Sequence, residues 1–235
     1  MRRETTIGIL GGMGPWATHR FWEVLLRRTA AKREADHLRV VVDSHPRIPS
    51  RTRHFLYNEA SPVPGMLDVC RRLARYPVDV IAIPCNSACH FLPKFAGQVP
   101  VPILDIITAT ATAAARRFPG GQLAVLGGAI TFGSDRYRAA LTREGAGMVC
   151  HDEARQARVE ELIANLKLRP RDPELAAAYA ALVDEVRAVY APDGVILACT
   201  ELSFVAEDQV ALPTIDSTTE LALETLRFAQ LESST

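Results

Sequence analysis

Two of the five cysteines in this 235-residue chain stand in matching settings. Cys85 closes the run Asp79-Val80-Ile81-Ala82-Ile83-Pro84 and precedes Asn86-Ser87-Ala88, while Cys199 closes Asp193-Gly194-Val195-Ile196-Leu197-Ala198 and precedes Thr200-Glu201-Leu202, 114 residues on. Each sulfur therefore sits where a buried-looking apolar run gives way to polar residues. A helix starting just after each would aim free N–H groups at the sulfur, which predicts a thiol pKa lowered from about 8.5 and a usable base near neutrality. The same N–H groups, with the side chains of Asn86, Ser87 and Thr200, are candidates for holding a carboxylate. Two such acid/base groups facing one carbon from opposite sides take a proton from one face and return one to the other, the chemistry of racemisation or epimerisation. The charge that develops on the carbon must then be offset by oriented N–H donors in a dry cleft. No lysine stands in a pyridoxal-type context, so no cofactor is expected.

The elements that must position these residues follow from hydrophobic patterning. Short apolar runs bounded by Gly, Pro or Asp predict strands over 5–10, 38–42, 78–83, 101–104, 123–126, 148–150 and 194–197. Helix-like spacing or good helix formers predict helices over 16–32, 63–75, 105–117, 134–144, 153–167, 173–190 and 217–231. Continuous apolar strands alternating with helices imply parallel pairing with both faces covered, the α/β class.

The pattern also repeats. Ile9-Leu10-Gly11-Gly12 returns as Val125-Leu126-Gly127-Gly128, and Pro102-Ile103-Leu104-Asp105 as Pro213-Thr214-Ile215-Asp216, in the same order as the two cysteine segments. Two pseudo-symmetric α/β domains are expected, 1–108 and 109–215, with a last helix, 216–235, returning to the first. Each would carry a Gly-Gly turn after its first strand and a cysteine at the carboxyl end of a later one, where open α/β sheets place ligands. Facing halves would bring both sulfurs to one cleft.

Composition narrows the partners. Lys plus Arg and Asp plus Glu both number 27, giving zero formal charge and no electrostatic preference for nucleic acid or an anionic membrane. With 48% hydrophobic and 23% charged residues the chain reads as globular. The longest apolar stretch, 103–115, is too short for a membrane span and carries Asp105. Residues 7–10 after the basic start are broken by Gly11, Gly12, Gly14 and Pro15, so they read as a first strand and not as a signal peptide. An odd, scattered set of cysteines in a chain of this size argues against a disulfide framework and fits a reducing cytoplasm.

Taken together, Ile9-Leu10-Gly11-Gly12-Met13-Gly14-Pro15-x-Ala17-Thr18, Ile48-Pro49-Ser50-Arg51-Thr52, Pro84-Cys85-Asn86-Ser87-Ala88 and Cys199-Thr200-Glu201-Leu202 resemble the aspartate/glutamate racemase family, in its aspartate racemase branch. The resemblance spans nearly the whole chain. It implies two pseudo-symmetric domains with the site between them, cofactor-independent catalysis by Cys85 and Cys199, an acidic amino-acid substrate and a homodimer. Carried over by position, Met13 and Gly14 line the cleft, Asn86, Ser87 and Thr200 bind the α-carboxylate, and Arg51 binds the side-chain carboxylate. Lys167 is the best match to a family lysine some thirty residues before the second cysteine. Where the family commonly reads Cys-Asn-Thr-Ala-His, this chain has Cys85-Asn86-Ser87-Ala88-Cys89, and His45 stands at a usual asparagine.

Rival readings remain. A maleate isomerase-like or arylmalonate decarboxylase-like enzyme would use one or both cysteines at the same cleft, and a small-acid binding protein would use neither. Gly12-x-Gly14-x-x-Ala17 meets a relaxed dinucleotide pattern, with Asp43 ending the next strand, but the acid lies some thirty residues on rather than about twenty. Cys85, Cys89 and His90 lack the fourth ligand of a structural zinc, so no metal is expected. His151 and the other isolated histidines read as surface or satisfied core positions, and Glu201 as a cap or a group that orients the cleft.

Overall fold

The strand that carries the first Gly-Gly turn is apolar on both faces because it runs through the middle of a sheet. A computed structural model describes residues 4–204 and 210–232. The chain divides into two compact units, Met1–Ile106 with Thr218–Thr235, and Ile107–Ser217. In the first unit β1 (Thr6–Gly11) is followed by α1 (Pro15–Arg28), β2 (Arg39–Ser44), α2 (Arg51–Tyr57), α3 (Val63–Leu73), β3 (Val80–Ala82), α4 (Asn86–Cys89) and β4 (Ile103–Leu104). The sheet is four-stranded and parallel in the order β2-β1-β3-β4, with Ile9 opposite Val42 on one side and Ala82 on the other. All of β1 is buried.

The second unit repeats the plan. It contains α5 (Ile106–Arg117, whose first residue belongs to the first unit), β5 (Gln122–Gly127), α6 (Ala129–Phe132), α7 (Arg136–Arg143), β6 (Gly147–Val149), α8 (Glu153–Leu168), α9 (Pro173–Tyr190), β7 (Gly194–Ala198) and β8 (Thr214–Asp216). A 3₁₀ turn, Thr200–Phe204, follows β7, and α10 (Ser217–Glu232) closes the described chain. Its parallel sheet has the matching order β6-β5-β7-β8.

The equivalence of the two units extends to single bonds. Asp79 Oδ2 accepts from the Thr6 N–H at 2.7 Å while the Asp79 N–H donates to the Thr6 carbonyl at 2.8 Å; Asp193 and Gln122 make the same two bonds at the same two distances. The Pro102 carbonyl accepts from Ile81 and the Pro213 carbonyl from Val195, both at 2.9 Å. The α/β class and the paired parallel sheets are thus those that patterning and internal repetition predict.

Packing follows the periodicity. Helix α8 buries Val159, Leu162, Ile163 and Leu166, and α9 buries Leu175, Tyr179, Leu182, Val183 and Val186, in one cluster with Ala124, Leu126, Val195 and Leu197. Each fully buried Leu, Ile or Val in such a cluster contributes about 1.5–3 kcal/mol. Both helices begin on an aspartate: Asp152 accepts from Arg155 N–H at 2.8 Å and Asp172 from Glu174 N–H at 2.9 Å, with Pro173 opening α9. In the first unit α1 buries Ala17, Phe21, Val24 and Leu25, and α3 buries Met66, Val69, Cys70 and Leu73. Burial pushes the Cys70 thiol up to about 12, so it is an inert core side chain. Among the described residues no helix is long and apolar enough to cross a membrane.

The structure adds elements that patterning does not predict. Strand β8 and the short helices α2 and α6 have no counterpart among the expected elements, while α4 is the helix expected just after Cys85. Two of the short helices lie beside candidate site residues, α2 starting on Arg51 and α4 just after Cys85, and α6 follows the second Gly-Gly turn.

Candidate active site

In a parallel sheet every strand ends on the same edge, so register decides which loops become neighbours. In the first unit that edge carries the β1–α1 loop, the β2–α2 loop and Cys85. Gly12 adopts φ +89, and a Cβ there would lie 2.4 Å from the His45 backbone nitrogen and 2.8 Å from that of Pro46. Only glycine combines that left-handed backbone with so close an approach. Thr18 Oγ1 then pins the loop, accepting from the buried Gly12 N–H and donating to the Gly14 carbonyl, each at 2.9 Å. His45 N–H donates to the Gly11 carbonyl at 3.2 Å. The Met13–Gly14 peptide is cis.

Arg51 joins the same two loops. Its Nη2 donates to the Met13 carbonyl at 3.1 Å and its Nη1 to the Pro49 and Ile48 carbonyls at 3.2 and 3.4 Å. Its Nε is buried without a partner, and among the described residues no carboxylate pairs with its charge. Cys85, buried and extended, precedes α4; its carbonyl accepts from the Ala88 and Cys89 N–H groups, both at 3.1 Å. Asn86 is buried and Ser87 half-buried on the same turn. Met13, Gly14, Arg51, Cys85, Asn86 and Ser87 are therefore all placed on the loops and short helices at one sheet edge of the first unit.

The structure gives Cys89 and Asp43 other partners. Cys89 is fully buried, with its Sγ 3.7 Å from the Ile83 carbonyl, which makes it a core residue. Asp43 accepts from Arg72 Nε at 2.9 Å, so the acid that the dinucleotide pattern requires is held in an ion pair.

In the second unit Gly127 pairs with Ala198, which sets the second Gly-Gly turn beside the end of β7. Cys199 follows directly and is partly buried; its Sγ donates to Glu201 Oε2 at 3.0 Å. Thr200 and Glu201 are buried. Lys167, in the last turn of α8, is near enough to act on the sulfur electrostatically.

Here the structure corrects an expectation. The segment after Cys199 is a 3₁₀ turn, not an α-helix, and the thiol is raised well above its ordinary value instead of lowered. Burial is the main cause and the Glu201 carboxylate the next; Lys167 pulls the other way without prevailing.

One group escaped sequence reasoning. Gln156 Nε2 donates to the Gly127 carbonyl at 3.1 Å and to Glu160 at 2.8 Å, which leaves its Oε1 to accept from His151 Nε2 at 2.9 Å. Both side chains are buried, so the second Gly-Gly turn is anchored from α8. Only the four-residue spacing of Gln156 and Glu160 on a predicted helix hinted at this pairing.

Comparison with known proteins bears on the chemistry. Residues 10–225 match the family model for Asp/Glu/Hydantoin racemase. The broad-specificity amino-acid racemase RacX of Bacillus subtilis (strain 168) is 29% identical over 225 residues, covering 94% of this chain and 96% of its own length. An aspartate racemase of Picrophilus torridus is 28% identical and superposes with a TM-score of 0.87, over 96% of this chain and 94% of that one. An aspartate racemase homologue from Pyrococcus horikoshii OT3, 21% identical, shares the fold with a TM-score of 0.78, over 98% of this chain and 100% of its own.

Proposed function

This chain belongs to the Asp/Glu/Hydantoin racemase family, and on that premise we propose that it inverts the α-carbon of an acidic amino acid, aspartate or glutamate, without a cofactor. Cys85 and Cys199 are the acid/base pair in this reading, acting from the two units on opposite faces of one α-carbon. One sulfur, as thiolate, takes the α-proton; the other, as thiol, delivers a proton to the far face, and microscopic reversibility exchanges the roles for the other enantiomer. Asn86, Ser87 and Thr200 hold the α-carboxylate, and Met13 and Gly14 shape the wall around it. Arg51 and Lys167 supply positive charge for the side-chain carboxylate and for the negative charge that grows on the substrate as the α-proton leaves.

The observation that supports this most is the equivalent placement of the two sulfurs, each just beyond the third strand to appear in its unit's sequence order, in sheets of matching strand order. Arg51 adds to it, since a guanidinium with no carboxylate partner among the described residues suits a dicarboxylate ligand. All five cysteines are free thiols, which accords with a reducing cytoplasm. A homodimer is the expected assembly, to be read by sedimentation.

The test is incubation of the protein with L-aspartate, L-glutamate and a panel of other amino acids in D₂O, following loss of the α-proton and of optical rotation. Replacing either cysteine by Ser is expected to abolish inversion. Full turnover by the Cys199→Ser variant would reject the two-base scheme, and turnover that needs added NAD would favour the dinucleotide reading.

A further inference from the structure

The two units repeat each other at the cysteines but not two residues beyond them. In the alignment that pairs Cys85 with Cys199, Ser87 corresponds to Glu201, so a neutral hydroxyl stands on one side and a carboxylate on the other. That carboxylate touches the sulfur. Cys199 Sγ and Glu201 Oε2 are 3.0 Å apart, with Glu201 only 3% exposed.

We propose that Glu201 is a positioning residue that holds the proton on Cys199, so that the unliganded protein rests with Cys199 as the thiol and Cys85 as the side that receives the substrate's α-proton. The proposal builds on the two-cysteine reading above. A thiol beside Glu201 donates a hydrogen bond to a carboxylate that has little water to turn to. A thiolate there would set two negative charges 3.0 Å apart.

Beside burial, Glu201 is the charged group that raises the thiol, and Lys167 the one that opposes it. Strand β7 brings no ionisable residue, and Asp216 of β8 accepts from Ser203 Oγ at 2.5 Å. From α8, Glu160 accepts from Gln156, Glu161 lines a groove against α9, and Lys167 alone opposes the carboxylate at the sulfur. Burial and Glu201 together raise the thiol above its ordinary value despite Lys167.

The proton inventory closes over one turnover. The substrate C–H bond breaks as a Cys85 S–H bond forms, then the Cys199 S–H bond breaks as a new C–H bond forms on the opposite face. The protein is left with a Cys85 thiol and a Cys199 thiolate against Glu201, and exchange of one proton with solvent at each sulfur restores the resting form. Because enantiomers have equal free energy, kcat/KM is the same in both directions whatever Glu201 does. Its effect is therefore on pH dependence and not on handedness.

The experiment needs no substrate. The full-length protein is pulsed with iodoacetamide across a pH series, and alkylation at Cys199 and Cys85 is measured by peptide mass spectrometry, taking the midpoint of each profile so that access to the sulfur cancels. In Glu201→Gln the Cys199 midpoint is expected to fall by about one pH unit or more, which is about tenfold more thiolate below the midpoint. Glu201→Asp should lie between that variant and the native protein, and the Cys85 midpoint should not move. An unmoved Cys199 midpoint in a Glu201→Gln protein with native circular dichroism overturns the proposal. Should that variant fail to fold, Glu201→Asp decides: a Cys199 midpoint below the native one supports the proposal, and an unmoved midpoint overturns it. Failure of α-proton exchange in D₂O would instead count against the racemase reading and leave these midpoints as they are.

Discussion

Gly12 and Gly128 occupy the same place in the repeated Gly-Gly turn, yet alanine should be costly at the first site and nearly neutral at the second. At Gly12 the backbone is left-handed, φ +89, which costs an L-residue about 1–2 kcal/mol. An added Cβ would also lie 2.4 Å from His45 N, 2.5 Å from His45 C and 2.8 Å from Pro46 N, all backbone atoms. Since backbone cannot swing aside like a side-chain end, the β1–α1 and β2–α2 loops must separate, straining the Gly11–His45 hydrogen bond and the Arg51–Met13 bond. Adding about 1 kcal/mol for each weakened bond gives a total of about 3–4 kcal/mol. Gly128 has φ −71 and nothing within 4 Å of its would-be Cβ. There the entropy gain of about 0.4–1 kcal/mol from stiffening the unfolded chain roughly offsets alanine's poorer capping of α6. Thermal unfolding separates the two cases, because about 3 kcal/mol corresponds to a fall in Tm of about 6–12 °C for a chain of this length. The Gly12→Ala protein should also lose most of its α-proton exchange, since Met13, Gly14 and Arg51 move together, whereas Gly128→Ala should unfold within about 2 °C of the native protein. Equal Tm values for the two variants, or a Gly12→Ala protein that exchanges at the native rate, would refute the reasoning.

Two further predictions concern the first unit. Thr18→Val keeps the side-chain shape but leaves the buried Gly12 N–H without its acceptor, and should cost about 1–3 kcal/mol in urea unfolding while Thr18→Ser stays close to native. Cys70 makes the protein sensitive to alkali. Its thiol is raised from 9.0 to about 12 in the folded state, so its contribution is complete below pH 9, where both states hold the proton, and is lost as pH rises toward 12. Stability should fall by about 1.4 kcal/mol per pH unit across that window, about 4 kcal/mol in all. The Cys70→Val protein should show a shallower alkaline slope in urea titrations; an unchanged slope would mean that burial of this thiol carries no pH dependence.

What could be read in the sequence was set by how far each signal extends along the chain. Helix α9, Pro173–Tyr190, announces both ends through Asp172, Pro173 and five turns of periodicity, and it spans the predicted residues. Helices α2, α4 and α6 are four to seven residues long, too short for a 3.6-residue period to repeat clearly. Strand β8 contains one aliphatic residue, Ile215, and is visible only because Pro213-Thr214-Ile215-Asp216 echoes Pro102-Ile103-Leu104-Asp105. Repetition likewise singled out Cys85 and Cys199 where composition could not. The sign of the Cys199 shift is out of reach for another reason: a sequence tells which residues follow a strand, but not that the sulfur is buried or that the side chain two places on turns back onto it.

The same contrast explains where the two units match and where they part. The reciprocal bonds of Asp79 with Thr6 and Asp193 with Gln122 start the strands, and a parallel ladder tolerates no change there, because losing them would leave strand-edge N–H and C=O groups unpaired. At the carboxyl ends the ladder imposes nothing. One unit pins its Gly-Gly turn through Thr18 and a left-handed Gly12; the other pins it through Gln156 from α8 and leaves Gly128 in ordinary backbone. One unit follows its cysteine with Ser87, the other with Glu201. A frame held by its hydrogen-bond ladder can therefore carry two cysteines in equivalent places and still surround them with different neighbours, an acceptor carboxylate at 3.0 Å from Cys199 and a neutral hydroxyl at the matching position after Cys85.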